Sequence, residues 1–218
     1  PPPVLAWQLN RCQAVARALG AQVFVDHLYE ADDLIGTLGR QATAHGIEVV
    51  VVSNDKDLMQ LVTPQVTFYD AAKDRRLDAA GVTAHLGVRP AQIPDLLALQ
   101  GDAVDNIPGV KGIGSKTARA LLQIFPDLEA IYTDLATIET LPLRNAKTLR
   151  QKLATGREAA FLSKRLATIA VDAPVICDLS ALEYRGGVRT AVTPLFEHLG
   201  FRRLAQRITR WNTCEGQR

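Results

Sequence analysis

Apolar residues recur at steps of three and four along much of the chain, and a few short stretches switch to β-branched runs. Leu5, Leu9, Cys12, Ala16 and Leu19 share one face of a helix over 4–19, because 3.6 residues per turn bring such positions together. AQVFV at 21–25 reads as a short strand, and Leu34, Ile35, Leu38 and Ala42 mark a second helix ending near 45. EVVVV at 48–52 is almost uninterrupted valine, as in a strand covered on both faces, which predicts the centre of a parallel sheet. SNDKDLMQL follows as a loop and short helix, and QVTFYD at 65–70 as another strand.

Beyond about residue 78 the strand signals fade and helical spacing takes over. Helices are predicted over 90–100, over 115–125 through Ala118, Leu121, Leu122 and Phe125, and over 156–169 through Ala159, Leu162, Leu166 and Ile169. Val188, Val192, Leu195 and Leu199 mark a later one, and Leu204, Ile208 and Trp211 the tail. Alternating helix and strand followed by helices alone predicts an α/β domain with a parallel sheet over 1–88 and an α-helical domain over 89–218.

With 218 residues, 47% hydrophobic and 22% charged, the composition is that of a globular protein able to bury a large core. No apolar run approaches the roughly 20 residues that span a bilayer, and PPPVLAWQLNR at the start lacks the basic-then-apolar order of an export signal. Cys12, Cys177 and Cys214 are widely spaced, without metal-ligand pattern, which points to reduced thiols in the cytoplasm, with Cys12 packed in its helix. The first residue is Pro1 and not Met, as in a processed, fragmentary or trimmed chain. The net charge of +2 hides an asymmetry: residues 1–108 hold 8 Lys and Arg against 13 Asp and Glu, and residues 109–218 hold 17 against 10. An acidic half joined to a basic half suggests metal chemistry in one and polyanion binding in the other, although uneven solvated surface produces the same count.

Three acid clusters stand out: Glu30, Asp32 and Asp33 in YEADDL, Asp55 and Asp57 in SNDKDL, and Asp102 and Asp105 in GDAVDN. The first two follow predicted parallel strands, which end on one edge of a sheet, where open α/β folds bind ligands. Each cluster alone has a plainer reading as a helix cap or solvated turn. Together they predict a shared centre, since packed carboxylates persist as anions only when cations neutralise them. Oxygen-only ligands select Mg²⁺ or Mn²⁺, and two such ions about 4 Å apart can drive in-line displacement at a phosphodiester. His27, His45, His85 and His198 show no ligand spacing and read as structural or exposed; Lys56, between two aspartates, reads as a surface lysine, with help in neutralising a phosphate as the alternative.

In PGVKGIGSKTA, glycines 109, 112 and 114 allow a backbone path closed to other residues, leading into the helix at 115. Amides at that helix start, with Lys111, Lys116 and the hydroxyls of Ser115 and Thr117, make a site for a nucleic-acid phosphate. Contacts of this kind position a duplex without reading its bases. The spacing is not that of a nucleotide-binding P-loop.

Taken together, YEADDL, SNDKDL and GDAVDNIPGVKGIGSKTA resemble, in order and spacing, the bacterial 5′ nuclease branch of the flap endonuclease family. These enzymes occur alone or as the N-terminal domain of DNA polymerase I, and the similarity runs from residue 1 to roughly 200. The resemblance implies a PIN-like α/β domain over 1–88 and a helical domain over 89–218, with a helix-three-turn-helix (helix-hairpin-helix-like) element at about 100–125. It implies structure-specific 5′-3′ exonuclease and flap endonuclease action on DNA with 5′ flaps, nicks or branches; nothing in the sequence suggests more than a monomer. Glu30, Asp32, Asp33, Asp55, Asp57, Asp102 and Asp105 match the family's metal-binding acids for two Mg²⁺ or Mn²⁺. Asp33 is the position where family branches differ. Gly109 to Thr117, including Lys111, Gly112, Gly114, Ser115 and Lys116, match the duplex-gripping hairpin, with Val110, Ile113 and Ser115 as its K⁺ ligands.

Relatives begin with a strand ending in an aspartate, a second acid and a basic arch, whereas Pro1 to Pro3 resemble the segment after the arch. On that reading the chain is a nuclease weakened by a missing N-terminal piece, unless the natural protein is longer or another polypeptide supplies it. The end soon after RITRWNTCEGQR suggests the stand-alone type. Two other readings compete: a non-catalytic remnant that binds branched DNA, and a PIN-type ribonuclease sharing the acidic sheet edge.

Overall fold

The structure is a computed structural model that describes residues 2–143, 145–175 and 178–212; Cys177 and Cys214, expected as reduced thiols, lie outside them. These residues fall into two compact units: Glu30–Val175, and Pro1–Tyr29 together with Ile176–Arg218.

Helix α1 (Pro3–Ala18) belongs to the smaller unit, and α2 (Ala31–Ala44) begins the larger one, burying Leu34, Gly36, Thr37 and Ala42. Strand β1 (Val49–Val52) leads to a 3₁₀ turn, Asp57–Leu61, then to β2 (Val66–Asp70) and β3 (Arg75–Leu77). β1 pairs with β2 in parallel and β2 with β3 in antiparallel. The sheet is therefore small and mixed, with order β1-β2-β3, where the sequence predicted parallel pairing alone. Phe68 at its centre is fully buried, worth about 1.5–3 kcal/mol relative to exposure.

β1 departs from expectation. It is bonded to β2 only among the described residues, and while Val51 is 5% exposed, Val50 and Val52 are 42% and 62% exposed. A β-branched run reports fitness for a pleated surface, and coverage of the second face is a separate matter. β3 carries little sequence signal because it is only Arg75, Arg76 and Leu77, held as a hairpin arm by Asp70. That buried carboxylate lies 3.3 Å from Lys73 Nζ and 3.6 Å from Arg75 Nη2.

After β3 the unit is helical: α3 (Ala79–Leu86), α4 (Ile93–Gln100), α5 (Ser115–Ile124), α6 (Leu128–Thr133), α7 (Ala146–Thr155) and α8 (Arg157–Ala167). Residues Ile93 to Leu99 of α4 are all buried, making it the axis on which α5 and α8 pack. One hydrophobic core runs from Val51 to Ala167, so residue 88, the expected domain boundary, lies within its span. α5 buries Ala118, Leu121 and Leu122 as predicted. α8 buries Ala160, Ser163 and Ala167 and leaves Leu162 and Leu166 43% and 59% exposed, a buried stripe turned one residue, about 100°, from the predicted face. Small residues let α8 approach α4 closely, so its buried stripe is marked by size and not by hydropathy. Lys164 adds an ion pair, 2.6 Å from the buried Asp95 of α4.

In the smaller unit, α9 (Arg189–His198) buries Val192 and Phe196 in a cluster with Ala18, Val15 and Leu19 at the end of α1. The rest of α1 contributes little: Leu5 and Leu9 are exposed, and so is Cys12, which was expected to pack. Residues 21–25 are not a strand, since this unit has no strand among its described residues for them to pair with.

Candidate metal centre and nucleic-acid interface

The end of β1 supplies the first acids. Ser53 N donates to Tyr69 O at 3.1 Å, the last rung beside β2. The chain then turns on its own side chains: Asp55 N donates to Ser53 Oγ at 3.0 Å, and Asp57 N to Asp55 Oδ1 at 2.9 Å. Such short polar groups favour turns because they bond nearby backbone. Leu58 and Met59 are buried and anchor the turn, leaving Asp55 and Asp57 beyond the C-terminal edge of β1.

The N-terminus of α2 supplies the second set. Glu30 is the N-cap, and Asp32 and Asp33 occupy the first turn, where the helix dipole favours acids. Asp33 Oδ2 accepts from Glu30 N at 3.2 Å and Asp33 Oδ1 from Ala170 N at 2.8 Å, so both of its oxygens hold backbone. The half-buried Asp32 carboxyl is pushed up, first by burial and then by Asp55, Glu30, Asp33 and Asp105. An acid on α2 thus feels acids from both other motifs.

The third set sits on a closed loop after α4. Asp102 N donates to Ile107 O and Ile107 N to Asp102 O, at 2.9 and 2.8 Å, and Val104 N donates to Asp102 Oδ1 at 2.9 Å. Asn106 takes φ 55 to close the turn. Ligand atoms of Asp57, Asp102 and Asp105 lie within 4.8 Å of one another. Burial, then Asp55, Asp105 and Asp102, push the Asp57 carboxyl up to about 6 against the opposing pull of Lys56. Lys56, expected as a surface lysine, donates from Nζ to Asp102 Oδ2 at 2.6 Å, and that bond first, then Val104 N, holds the Asp102 carboxyl below the usual range.

These residues fit a hard divalent ion. The donors are all carboxylate oxygens, they repel one another, and Asp57 Oδ1 is buried with no hydrogen-bond partner. Asp32 and Asp55 stand close enough to join the same electrostatic cluster, while Glu30 takes part through its effect on Asp32 and Asp33 is committed to backbone.

The hairpin follows directly. Gly109 has φ 62, and a Cβ there would collide with Gly101 N; Gly112 has φ 80. Gly114 differs from expectation: its φ is −100, open to any residue, with nothing within 4 Å of an added Cβ. Val110 N donates to Leu99 O at 2.9 Å and Ile113 N to Val110 O at 3.0 Å, while both side chains are buried. Lys111, Ser115 and Lys116 are exposed and Thr117 is half-buried, at the start of a helix with no acid in its first turn. Two supports went unnoticed in the sequence: Lys152 Nζ donates to Gly112 O at 3.0 Å, and Ser163 Oγ accepts from Gly109 N at 2.9 Å. Neither carries a local signal, because the partners stand 40 and 54 residues apart along the chain.

An acidic cluster at the end of a small sheet, followed by a glycine hairpin that opens a helix, defines a class of α/β protein with a helical second half. Comparison with known proteins makes this specific. The 5′-3′ exonuclease N-terminal resolvase-like domain matches residues 1–87, and the 5′-3′ exonuclease C-terminal SAM fold matches residues 88–190. The chain belongs to the 5′-3′ exonuclease family. It is 42% identical over 202 residues to DNA polymerase I of Pseudomonas aeruginosa, covering 92% of this chain and 22% of that one. It is 37% identical over 174 residues to a 5′-3′ exonuclease of Buchnera aphidicola subsp. Acyrthosiphon pisum, covering 80% of this chain and 61% of that one. A bacteriophage flap endonuclease solved as a pseudo-enzyme-product complex with DNA and metal ions matches with a TM-score of 0.57 at 25% identity, over 80% of this chain and 61% of that one. The chain thus spans about a fifth of the length of the polymerase and under two thirds of the stand-alone relative. Among the described residues no helix is long and apolar enough to cross a membrane.

Proposed function

We propose that this protein acts as a structure-specific 5′-3′ exonuclease and flap endonuclease, hydrolysing DNA phosphodiesters with two Mg²⁺ or Mn²⁺ ions. The observation that carries the reading is the gathering of Asp57, Asp102 and Asp105 within 4.8 Å, beside the loop that leads into the glycine hairpin. Asp57, Asp102 and Asp105 would hold one ion, with Asp32, Asp55 and Glu30 completing the set. Asp33 would position the α2 end through its two backbone bonds. When bound, divalent ions supply neutralisation of the phosphate charge and activation of the attacking water.

The chain's own groups do the rest. The hairpin from Gly109 to Thr117 holds the sugar-phosphate backbone of the duplex, with Lys111 and Lys116 as counter-charges, and the open space at Gly114 admits a phosphate to the helix start. A K⁺ ion at Val110, Ile113 and Ser115 would serve the same grip. Lys56, 49% exposed beside Asp102, stands where it can face the scissile phosphate. Residues 1–88 are read as the nuclease domain and 89–218 as the helical one, working as a monomer on flaps, nicks or branches in the cytoplasm.

The test is Asp105→Ala in the whole protein, assayed on a 5′-flap duplex with Mg²⁺. Turnover should fall by more than the roughly 100-fold that loss of an outer partner of a metal site costs, with duplex affinity retained. An unchanged rate would remove the metal assignment. Duplex binding without cleavage under any divalent ion would favour a DNA-binding remnant, and faster cleavage of an RNA flap a ribonuclease.

A further inference from the structure

Three acid-bearing segments far apart in sequence must be held at one centre, and the acids themselves repel. Something other than the acids must set their spacing. Segment 167–173, running from the last residue of α8, bonds side chains from two of the three. Gln60 Nε2 donates to Ala167 O at 3.0 Å and its Oε1 accepts from Ile169 N at 3.0 Å. Asp33 Oδ1 accepts from Ala170 N at 2.8 Å, and Thr37 Oγ1 from Ala173 N at 3.0 Å. About one turn into α8 from the same end, Ser163 faces the hairpin through Gly109 N.

Gln60 is the joint with the most direct reach. The same Nε2 donates to Asp57 O at 3.1 Å, while Asp57 N is held by Asp55 Oδ1. Both peptide groups flanking the Asp57 side chain are therefore fixed, one by an acid and one by the Gln60 amide. An amide offers two donors and one carbonyl acceptor, and here both donors and the acceptor are spent on backbone. A carboxylate could not replace it, since it donates nothing to the two carbonyls.

We propose that Gln60 is a positioning residue of the acidic centre: it fixes the Asp57 turn against segment 167–173, in register with the α2 end held by Asp33. The proposal rests on the reading of Asp57, Asp102 and Asp105 as a divalent-ion site. Outer partners of this kind set ligand orientation, and their loss typically costs about 10–100-fold in metal affinity or activity. Thr37 bonds the same segment from α2, one turn beyond Asp33 and without bonding an acid, so it reports what a bond that only docks the helix contributes.

The experiment is Mn²⁺ titration by calorimetry on the whole protein, with melting temperature and duplex affinity in EDTA measured alongside. Gln60→Met keeps length and removes all three bonds; Gln60→Glu keeps only the acceptor for Ile169 N and serves if the first variant fails to fold. Either should weaken Mn²⁺ binding by about tenfold or more while duplex affinity holds. Thr37→Val should lower the melting temperature and leave Mn²⁺ affinity in place. Wild-type Mn²⁺ affinity in a folded Gln60 variant, or an equal loss of it in Thr37→Val, would overturn the positioning role. Failure of the wild-type protein itself to take up Mn²⁺ would strike the underlying metal reading instead.

Discussion

Lys56 shows how much of a site turns on one side chain. It sits between two aspartates and neutralises a third, Asp102, at 2.6 Å. A divalent ion bound by Asp102 would take over that task. Lys56→Met should therefore lower the melting temperature of the metal-free protein, by an amount corresponding to about 1 kcal/mol, since the lysine end of the pair is half-exposed. Added Mg²⁺ should restore most of it, because an ion that binds only the folded state stabilises it by mass action. An identical loss with and without Mg²⁺, measured by thermal melting, would speak against Lys56 as a stand-in for the ion. Sequence alone named the seven acids, since Asp and Glu clusters are visible as letters. It did not show that Asp33 spends both oxygens on backbone or that Lys56 reaches Asp102, because those partners are set by tertiary approach.

At the scale of elements, the hairpin was legible because glycine marks backbone that other residues avoid. The structure divides the three glycines: Gly109 is locked by φ 62 and contact with Gly101, whereas Gly114 has ordinary backbone. Gly109→Ala should cost roughly 1–3 kcal/mol of stability from strain at a positive φ and weaken duplex binding, and Gly114→Ala should melt like the wild type. Equal melting temperatures for both variants would contradict this division. The helices α3 and α6 were missed although each begins with a capping aspartate, Asp78 bonded by Gly81 N and Asp127 by Ala130 N. That signal was present in the sequence. The buried face of α8 was not, because a stripe of Ala160, Ser163 and Ala167 is outweighed in any hydropathy pattern by Leu162 and Leu166. The β2–β3 hairpin supplies a further test. Burial opposes charge on Asp70, but hydrogen bonds from Lys73 and the nearby Arg75 overcome it and hold the carboxyl below its ordinary value. A depressed carboxylate contributes stability above the unfolded value near 4 that is lost as pH falls through the folded one. Asp70→Asn should then lower the melting temperature at about pH 7 and make its decline below about pH 4 shallower; parallel curves would exclude the pair as a source of acid sensitivity.

For the whole molecule, the charge asymmetry seen in the sequence maps onto the division of labour proposed for it. Acids dominate through Asp105, and the basic excess begins with the hairpin. If Lys111 and Lys116 each neutralise a phosphate, Lys111→Gln with Lys116→Gln should reduce the slope of log affinity against log salt by about two. A slope unchanged in the double variant would move the duplex contact elsewhere. The fold class was legible because the order of strands then helices survives in the periodicity, while the edge position of β1 depends on what pairs with it, which no local pattern encodes. What the acidic motifs share only becomes physical when β1, α2 and the loop after α4 converge on one point in the larger unit. The most direct measurement of that convergence is anomalous scattering from crystals of the protein soaked in Mn²⁺. Manganese bound by the carboxylates of Asp57, Asp102 and Asp105 is the expected result. Crystals in which those carboxylates hold no ion, or in which the three side chains point to separate surfaces, would contradict it.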